Sequence, residues 1–324
     1  MEKISRNNRH KFQEYKDKDG NIYHLEEKID RGSEGAVYTV KENPNLAAKI
    51  YLNTYYKNTQ LEKVSAMCNI YDEDIAKYCA MPKSLLYDSC SNLVGYLMEN
   101  LVGYVMLFDI SKMNLSYIDL VHVALNIAKI FDDLYSRNII ICDINTKNIL
   151  IGKNDVKLID CESFQFEYNN KTYLCNKGII RSIPPELSNC KAYKVYRTLN
   201  SSLFGLATLM FFILTFGRNP YIKPKDSFII SEFFKYNYRY KDIQDNIMKL
   251  IFKNLSAEIV KLFETAFDND GSNNRPTAKE WINALENYKK SLLACDISNR
   301  HQYNSKLEKC VWCELEKLDF RIFA

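Results

Sequence analysis

The sequence predicts an α+β fold in two parts, a small β-rich lobe followed by a larger helical one, and three observations carry that expectation. Residues 22 to 51 alternate apolar and polar side chains in short runs separated by turn residues. From Tyr117 onward, apolar residues recur mainly at helical spacing. A chain of 324 residues can bury at least one large core and readily forms two lobes. A cleft between two such lobes is a common place for a ligand.

Taken in order, "IYHLEEKI", "AVYTV" and "LAAKIY", divided by "DRGSEG" and "KENPN", read as an antiparallel meander. "NTQLEKVSAMCNI" follows as a helix, with Leu61, Val64, Met67 and Cys68 at helical spacing, and then come strands around "SLLYD" and "LVGYLMENL". The lobe boundary is expected near Glu99 to Tyr104. Beyond it, "YIDLVHVALNIAKIFDDLYS" reads as a helix, and "NIIICDINTKNILI", residues 138 to 151, places a polar centre between two strand-like ends. An apolar helix from residue 203 and amphipathic stretches at 227 to 235, 241 to 253, 256 to 267 and 277 to 292 complete the helical part. There is no internal repeat. Composition shifts after about residue 293, where Cys, His and turn residues gather, so the expected division is an extension at 1–21, lobes at 22–99 and 100–292, and a C-terminal segment at 293–324.

Composition excludes several classes. With 47% hydrophobic and 26% charged residues the chain is not a disordered scaffold. A net charge of +4, dispersed along the chain, gives no footprint for nucleic acid, and the basic Arg6, Arg9, Lys11, Lys16 and Lys18 read as a solvated face. "MEKISRNNRHKFQEY" lacks the apolar core of a secretory signal, so the expected location is cytoplasmic. The apolar run "LFGLATLMFFILTFG" falls short of the ~20 residues that span a bilayer, which favours a buried helix and no membrane partner. Ten cysteines without a secretion signal argue against a disulfide framework, and Cys68, Cys79, Cys90, Cys142, Cys161, Cys175 and Cys190 read as small buried hydrophobes.

Candidate chemistry begins with Gly32 and Gly35 in "IDRGSEGAVYTV", because glycines let backbone amides approach a phosphate closely; an ordinary hairpin turn uses the same residues. Lys49, on the next strand, places an ammonium where it could reach the same phosphates, although a solitary strand lysine is usually a solvated edge residue. Asp143, Asn145 and Asn148 in the polar centre offer a carboxylate and two amides, the alternative being loop-capping polar residues.

Order sharpens these signals. A glycine hairpin, a strand lysine, a helix with an acidic residue, then "YLMENL", "CDINTKN", "LIDCESF" and "IPPEL" follow one another as in the protein-kinase signature set, and residues from about 22 to 290 resemble a bilobal protein-kinase domain. The resemblance implies ATP and magnesium (or manganese) as cofactors. It places Gly32 and Gly35 over the phosphates, Val37 and Ala47 against the adenine, Lys49 on the α- and β-phosphates, and Glu62 as the helical partner of Lys49. A solvated helical glutamate is the other reading of Glu62. Met98 would stand at the back of the pocket, with the backbone of Glu99 and Leu101 on the adenine edge. Asp143 would handle the hydroxyl proton of the substrate, Asn148 and Asp160 would hold magnesium, and Glu186 would pair with Arg275.

The chain also departs from the pattern. Ile141 and Cys142 replace the His-Arg pair, Asn145 replaces a lysine, Ser202 stands where an aspartate anchors the catalytic loop, and Asp-Phe-Gly reads Asp160-Cys161-Glu162. These changes leave Lys49, Asp143, Asn148 and Asp160 in place. The expectation is a serine/threonine protein kinase, autophosphorylation included; a nucleotide-binding pseudokinase and a small-molecule phosphotransferase on the same fold remain alternatives.

"CDISNRHQYNSKLEKCVWC" brings Cys295, His301, Cys310 and Cys313 together; a Cys-x-x-C knuckle closed by an earlier Cys and His suits a structural zinc site, with redox or free thiols as the alternative. A kinase-like domain ending in such a knuckle resembles bacterial protein kinases with a C-terminal zinc-binding segment. That resemblance implies a metal-dependent serine/threonine phosphatase and a von Willebrand A-like protein as possible partners.

Overall fold

The computed structural model describes residues 13–52, 58–175, 182–187, 196–221, 238, 245–267, 274–320 and 323. The stretch at 227 to 235, Cys190, and the basic Arg6, Arg9 and Lys11 lie outside the described residues. Two compact units emerge: Met1–Gly103 together with Asp160–Glu162, and Tyr104–Ile159 together with Ser163–Ala324. The first is β-rich and the second mainly helical, the α+β class expected. The three residues Asp160–Glu162 therefore join the strand unit, and the Cys/His segment joins the helical unit rather than standing apart.

In the strand unit, β1 (Glu14–Lys16), β2 (Ile22–Arg31), β3 (Gly35–Val40), β4 (Leu46–Tyr51), β5 (Ser84–Tyr87) and β6 (Leu93–Glu99) close in the order β1-β2-β3-β4-β6-β5. β1 was not expected, because three residues are too few to show an alternation; it closes the barrel by pairing with both β2 and β5. Strand alternation sorts the side chains. Tyr15, Leu25, Val40, Ala48, Leu86 and Leu97 fill the interior. The opposite face of β4 carries Ala47, Lys49 and Tyr51, against which helix α1 (Asn58–Asn69) lays Leu61 and Val64, beside Tyr96 of β6. The short α2 (Glu73–Ala76) is capped by Asp72, whose side chain accepts from the Asp74 N–H.

In the helical unit, β7 (Val105–Met106), β8 (Ile149–Ile151) and β9 (Val156–Leu158) form a small sheet beside α3 (Tyr117–Ser136). α3 starts where Ser116 and Asp119 make a reciprocal capping box, and it buries a continuous stripe from Tyr117 to Leu134. β10 (Phe166–Tyr168) and β11 (Lys171–Tyr173) form a hairpin turning through Asn169 and Asn170, both in the left-handed region that asparagine tolerates. α4 (Leu199–Leu214) begins four residues before the apolar run, because Thr198 caps it by accepting from the Ser201 N–H. It is apolar on nearly every face because it is buried on nearly every face. Among the described residues, no helix is long and apolar enough to cross a membrane.

Among the described residues, three amphipathic helices follow, α5 (Asn246–Asn254), α6 (Ala257–Phe267) and α7 (Ala278–Lys290), the last opened by a Thr277/Glu280 capping box. Phe204, Phe211, Phe263, Phe267 and Trp281 meet in the core they enclose. The C-terminal segment adds the hairpin β12 (Leu292–Ala294) and β13 (Gln302–Asn304) and the short α8 (Val311–Glu316). Backbone amides at the start of α3 find their acceptors there: Tyr117 N–H donates to the Arg300 carbonyl at 3.0 Å and Ile118 N–H to Gln302 Oε1 at 2.9 Å. Trp312 packs 4.6 Å from the Tyr117 ring. Amides that a helix start leaves without intrahelical partners are thus satisfied by chain about 180 residues downstream.

Candidate functional site

Strand register places the first group of site residues. β3, β4 and β6 pair so that Val37 lies opposite Lys49, Lys49 opposite Tyr96, and Ala47 opposite Met98. Directly opposed residues share a sheet face, so Val37, Ala47, Lys49, Met98 and Tyr96 leave the barrel on one side. Gly35 is needed for packing as well as for turning: a Cβ there would lie 2.6 Å from the Ile50 carbonyl oxygen. Gly32 closes the turn, its N–H donating to the Gly35 carbonyl at 2.9 Å. Glu99 ends β6, and Leu101 follows it half-buried.

Lys49 is no solvated edge residue. Its side chain is only 8% exposed, and Nζ lies 2.8 Å from Asp160 Oδ1 and 2.5 Å from Glu162 Oε1. The Tyr96 hydroxyl donates to the other Glu162 oxygen. Burial alone would depress the ammonium, but the Glu162 and Asp160 carboxylates hold Lys49 above its ordinary value. Burial and the Glu162 charge together keep the Tyr96 phenol protonated well past its usual range. Asp160 has φ +56, a left-handed backbone that aspartate adopts more readily than most residues.

The partner expected for Lys49 was Glu62, and the structure corrects it. Glu62 is exposed on α1, while its neighbours Lys63 and Val64 are buried, and the ion pairs of Lys49 run to Asp160 and Glu162. Successive residues on a helix point about 100° apart, so a one-position shift in the buried face turns Glu62 outward.

In the helical unit, Asn148 Nδ2 donates to Asp143 Oδ2 at 3.1 Å and to the Asp143 carbonyl at 3.3 Å. This engages the amide nitrogen and leaves the amide oxygen as the acceptor end of Asn148. Asn145 caps the turn at 146–148 by accepting from the Lys147 N–H, so the residue standing in place of a lysine has a structural task. Ser202 anchors the loop in place of an aspartate: its hydroxyl donates to the Ile141 carbonyl and bonds the buried Tyr135 hydroxyl at 2.6 Å. Gly205 lets α4 approach the same loop, since a Cβ there would meet Ile144 Cδ1 at 2.3 Å.

Arg275 and Glu186 pair as expected, through two parallel bonds of 2.7 and 2.9 Å. Asn200 adds its carbonyl to the guanidinium at 3.0 Å, and the Phe204 ring lies beneath it at 5.0 Å.

Cys295, His301, Cys310 and Cys313 converge, with one ligand atom from each lying within 4.8 Å of all the others. Cys295 Sγ is 3.6 Å from Cys313 Sγ, and His301 Nδ1 lies 3.5 Å from Cys313 Sγ and 3.9 Å from Cys310 Sγ. Tetrahedral zinc with Zn–S of about 2.3 Å and Zn–N of about 2.0 Å requires edges of about 3.5 to 3.8 Å, which these three separations approach. Glu316 stands 3.4 Å from His301 Nε2, which turns Nδ1 toward the sulfurs. Sequence reasoning missed Glu316, whose position one helical turn from Cys313 was the available signal. Burial lowers the imidazole of His301 below its usual value and favours the neutral ligand form; it also raises Cys313, and Cys310 to about 12. Cys295 moves the other way, because the amides of Ile297 and Ser298 outweigh the effect of burial. Among the remaining cysteines, Cys79, Cys142, Cys161 and Cys175 are buried as expected, but Cys68 is only half-buried and Cys90 sits exposed in a surface turn.

Comparison with known proteins agrees with this arrangement. The protein kinase domain family matches residues 23–285, and the chain belongs to that family. Two relatives are similar along most of its length. Protein kinase YegI of Escherichia coli strain K12 is 30% identical over 320 residues, covering 92% of this chain and 49% of that protein. Protein kinase YegI of Escherichia coli O157:H7 is 30% identical over 311 residues, covering 89% and 48%. The chain thus spans about half the length of the curated relatives it matches.

Proposed function

We propose that this chain is a cytoplasmic, ATP- and magnesium-dependent serine/threonine protein kinase that transfers the γ-phosphate to a protein hydroxyl, its own included. The observation that carries the proposal is the buried lysine: an ammonium this deep, held by two carboxylates, is an arrangement suited to phosphate. Lys49 binds and orients the α- and β-phosphates. Asp143 takes or orients the proton of the attacking hydroxyl, and its bond from Asn148 holds the carboxylate still. The oxygens of Asn148 and Asp160 are the hard donors that magnesium or manganese prefers. The bound cation supplies positive charge that offsets the triphosphate and the charge of the transition state. Gly32, Gly35, Val37, Ala47, Met98, Glu99 and Leu101 make the nucleotide subsite. Cys295, His301, Cys310 and Cys313 hold a structural zinc, supported by the convergence of four soft donors with separations of 3.5 to 3.9 Å between Cys313 and Cys295, and between His301 and the two thiols of the knuckle. The phosphatase and von Willebrand A-like partners remain part of the proposal, resting on resemblance.

A nucleotide-binding pseudokinase is the second reading, favoured by Ile141-Cys142 and Asn145 in place of cationic groups of the catalytic loop. Incubation with labelled ATP and magnesium separates the two: the parent chain incorporates label into itself or a protein acceptor, whereas Asp143→Ala and Asp160→Ala do not. Nucleotide-dependent thermal stabilisation without incorporation would establish the pseudokinase instead. Label appearing only on sugars or aminoglycosides would point to a small-molecule phosphotransferase.

A further inference from the structure

We propose that Glu162, oriented by Tyr96, is the positioning residue for Lys49, replacing any glutamate of helix α1. The inference rests on the nucleotide reading of Lys49 and goes beyond it by saying what holds that lysine.

Four observations converge. Lys49 and Tyr96 are directly opposed on β4 and β6, so their side chains leave the same face of the sheet. Both end on one carboxylate, Lys49 Nζ at 2.5 Å from Oε1 and the Tyr96 hydroxyl on Oε2. The Glu162 side chain is 0% exposed, so no water shares in the solvation of its charge, and these two donors set its position. The T-shaped contact between Tyr51 and Tyr96, with ring centroids 5.9 Å apart, fixes the phenol in turn.

The two carboxylates on Lys49 have different settings. Asp160 is 35% exposed against 0% for Glu162. Asp160 is the carboxylate that the proposed function shares with a cation, and Glu162 supplies the lysine with a second counter-charge of its own. Lys49 is therefore positioned by β4, β6 and the segment 160–162. Because no residue of α1 takes part in the ion pair, displacement of that helix does not by itself uncouple Lys49 from its carboxylate. The Glu162 that departs from Asp-Phe-Gly is thereby tied to the exposed Glu62: the acidic partner has moved from the helix to the segment after the strand.

The test uses the full chain with Glu162→Gln, Tyr96→Phe and Glu62→Gln, measuring the Kd of a fluorescent ATP analogue alongside KM for ATP and kcat. Losing one charge-assisted hydrogen bond to a buried lysine corresponds to about 10-fold or more in kcat/KM, which is expected for Glu162→Gln. Tyr96→Phe keeps the charge and loses only the orienting bond, so a smaller loss is expected, with analogue affinity weakened in the same order. Glu62→Gln should match the parent within about twofold, as expected of an exposed substitution. Should Glu162→Gln fail to fold, Tyr96→Phe decides: parental values would overturn the inference. So would a Glu62→Gln loss equal to or larger than that of Glu162→Gln. A parent chain that binds no nucleotide overturns both readings, whereas one that binds and transfers while Glu162→Gln behaves like the parent overturns this one alone.

Discussion

Replacing either partner of the Glu186–Arg275 pair should be costly, but unequally so. The Arg275 side chain is 2% exposed and that of Glu186 is 31% exposed. Glu186→Ala strands a buried guanidinium. Breaking a buried pair from one side costs ~3 to 5 kcal/mol, and the retained Asn200 carbonyl and Phe204 ring place this case near the lower bound. Arg275→Met instead leaves a carboxylate that reaches water, and fills the site with an apolar chain of similar length. Its cost is the loss of the bonds to Glu186 and to the Asn200 carbonyl and of the Phe204 ring contact, offset by rehydration of the Glu186 carboxylate and by the apolar filling of the site. Glu186→Ala is therefore expected to destabilise more than Arg275→Met, and the double variant less than the sum of the two. The assay is urea unfolding followed by tryptophan fluorescence. Both tryptophans of the chain, Trp281 and Trp312, are buried in the helical unit, so the signal reports that unit. Arg275→Met proving as costly as Glu186→Ala, or more so, would refute the argument that the stranded charge sets the cost.

Other outcomes follow from the same geometry. Chelation, or Cys310→Ser, should remove one equivalent of zinc and lower the thermal midpoint of the helical unit, because the segment that carries the donors also satisfies the first amides of α3; unchanged stoichiometric zinc in Cys310→Ser would reject the site. Ser202→Ala should cost ~1 to 3 kcal/mol in urea unfolding by leaving the Ile141 carbonyl and the Tyr135 hydroxyl without that partner, and should lower phosphotransfer by loosening the Asp143 loop. Gly35→Ala should destabilise the strand unit by ~1 to 3 kcal/mol, since the intruding Cβ meets backbone rather than a movable side chain; faster amide exchange in β4 and weaker ATP affinity are the measurements.

Much of this was legible in the sequence because it is written in local order. The strand runs 22 to 51 and the helix from Tyr117 to Ser136 follow from apolar spacing, while Lys49, Asp143, Asn148, Asp160, Glu186 and Arg275 stood out through the order of motifs that resembles the protein-kinase signature set. So are the four Cys and His donors, since a knuckle brings two of them together through the chain alone. Substitutions that looked like losses were harder to read. Ser202 in place of an aspartate still anchors the loop, its hydroxyl donating to a carbonyl where a carboxylate could only accept, and Asn145 caps the turn it sits in.

Residue type and strand alternation are enough to supply the chemical groups and to send Lys49 to the face opposite the barrel core. Which acid meets that lysine depends on long-range packing. Glu162 lies 113 positions from Lys49 and only two past a residue already assigned a task, whereas Glu62 sat on a helix in the expected place. A helix turns each successive side chain by about 100°, so packing of Lys63 and Val64 inward put Glu62 in solvent, and chain folding brought Glu162 into the vacated role. Glu316 behind His301 is a milder case: its place one helical turn from Cys313 could be read from the spacing, but only the fold set its carboxylate against the imidazole.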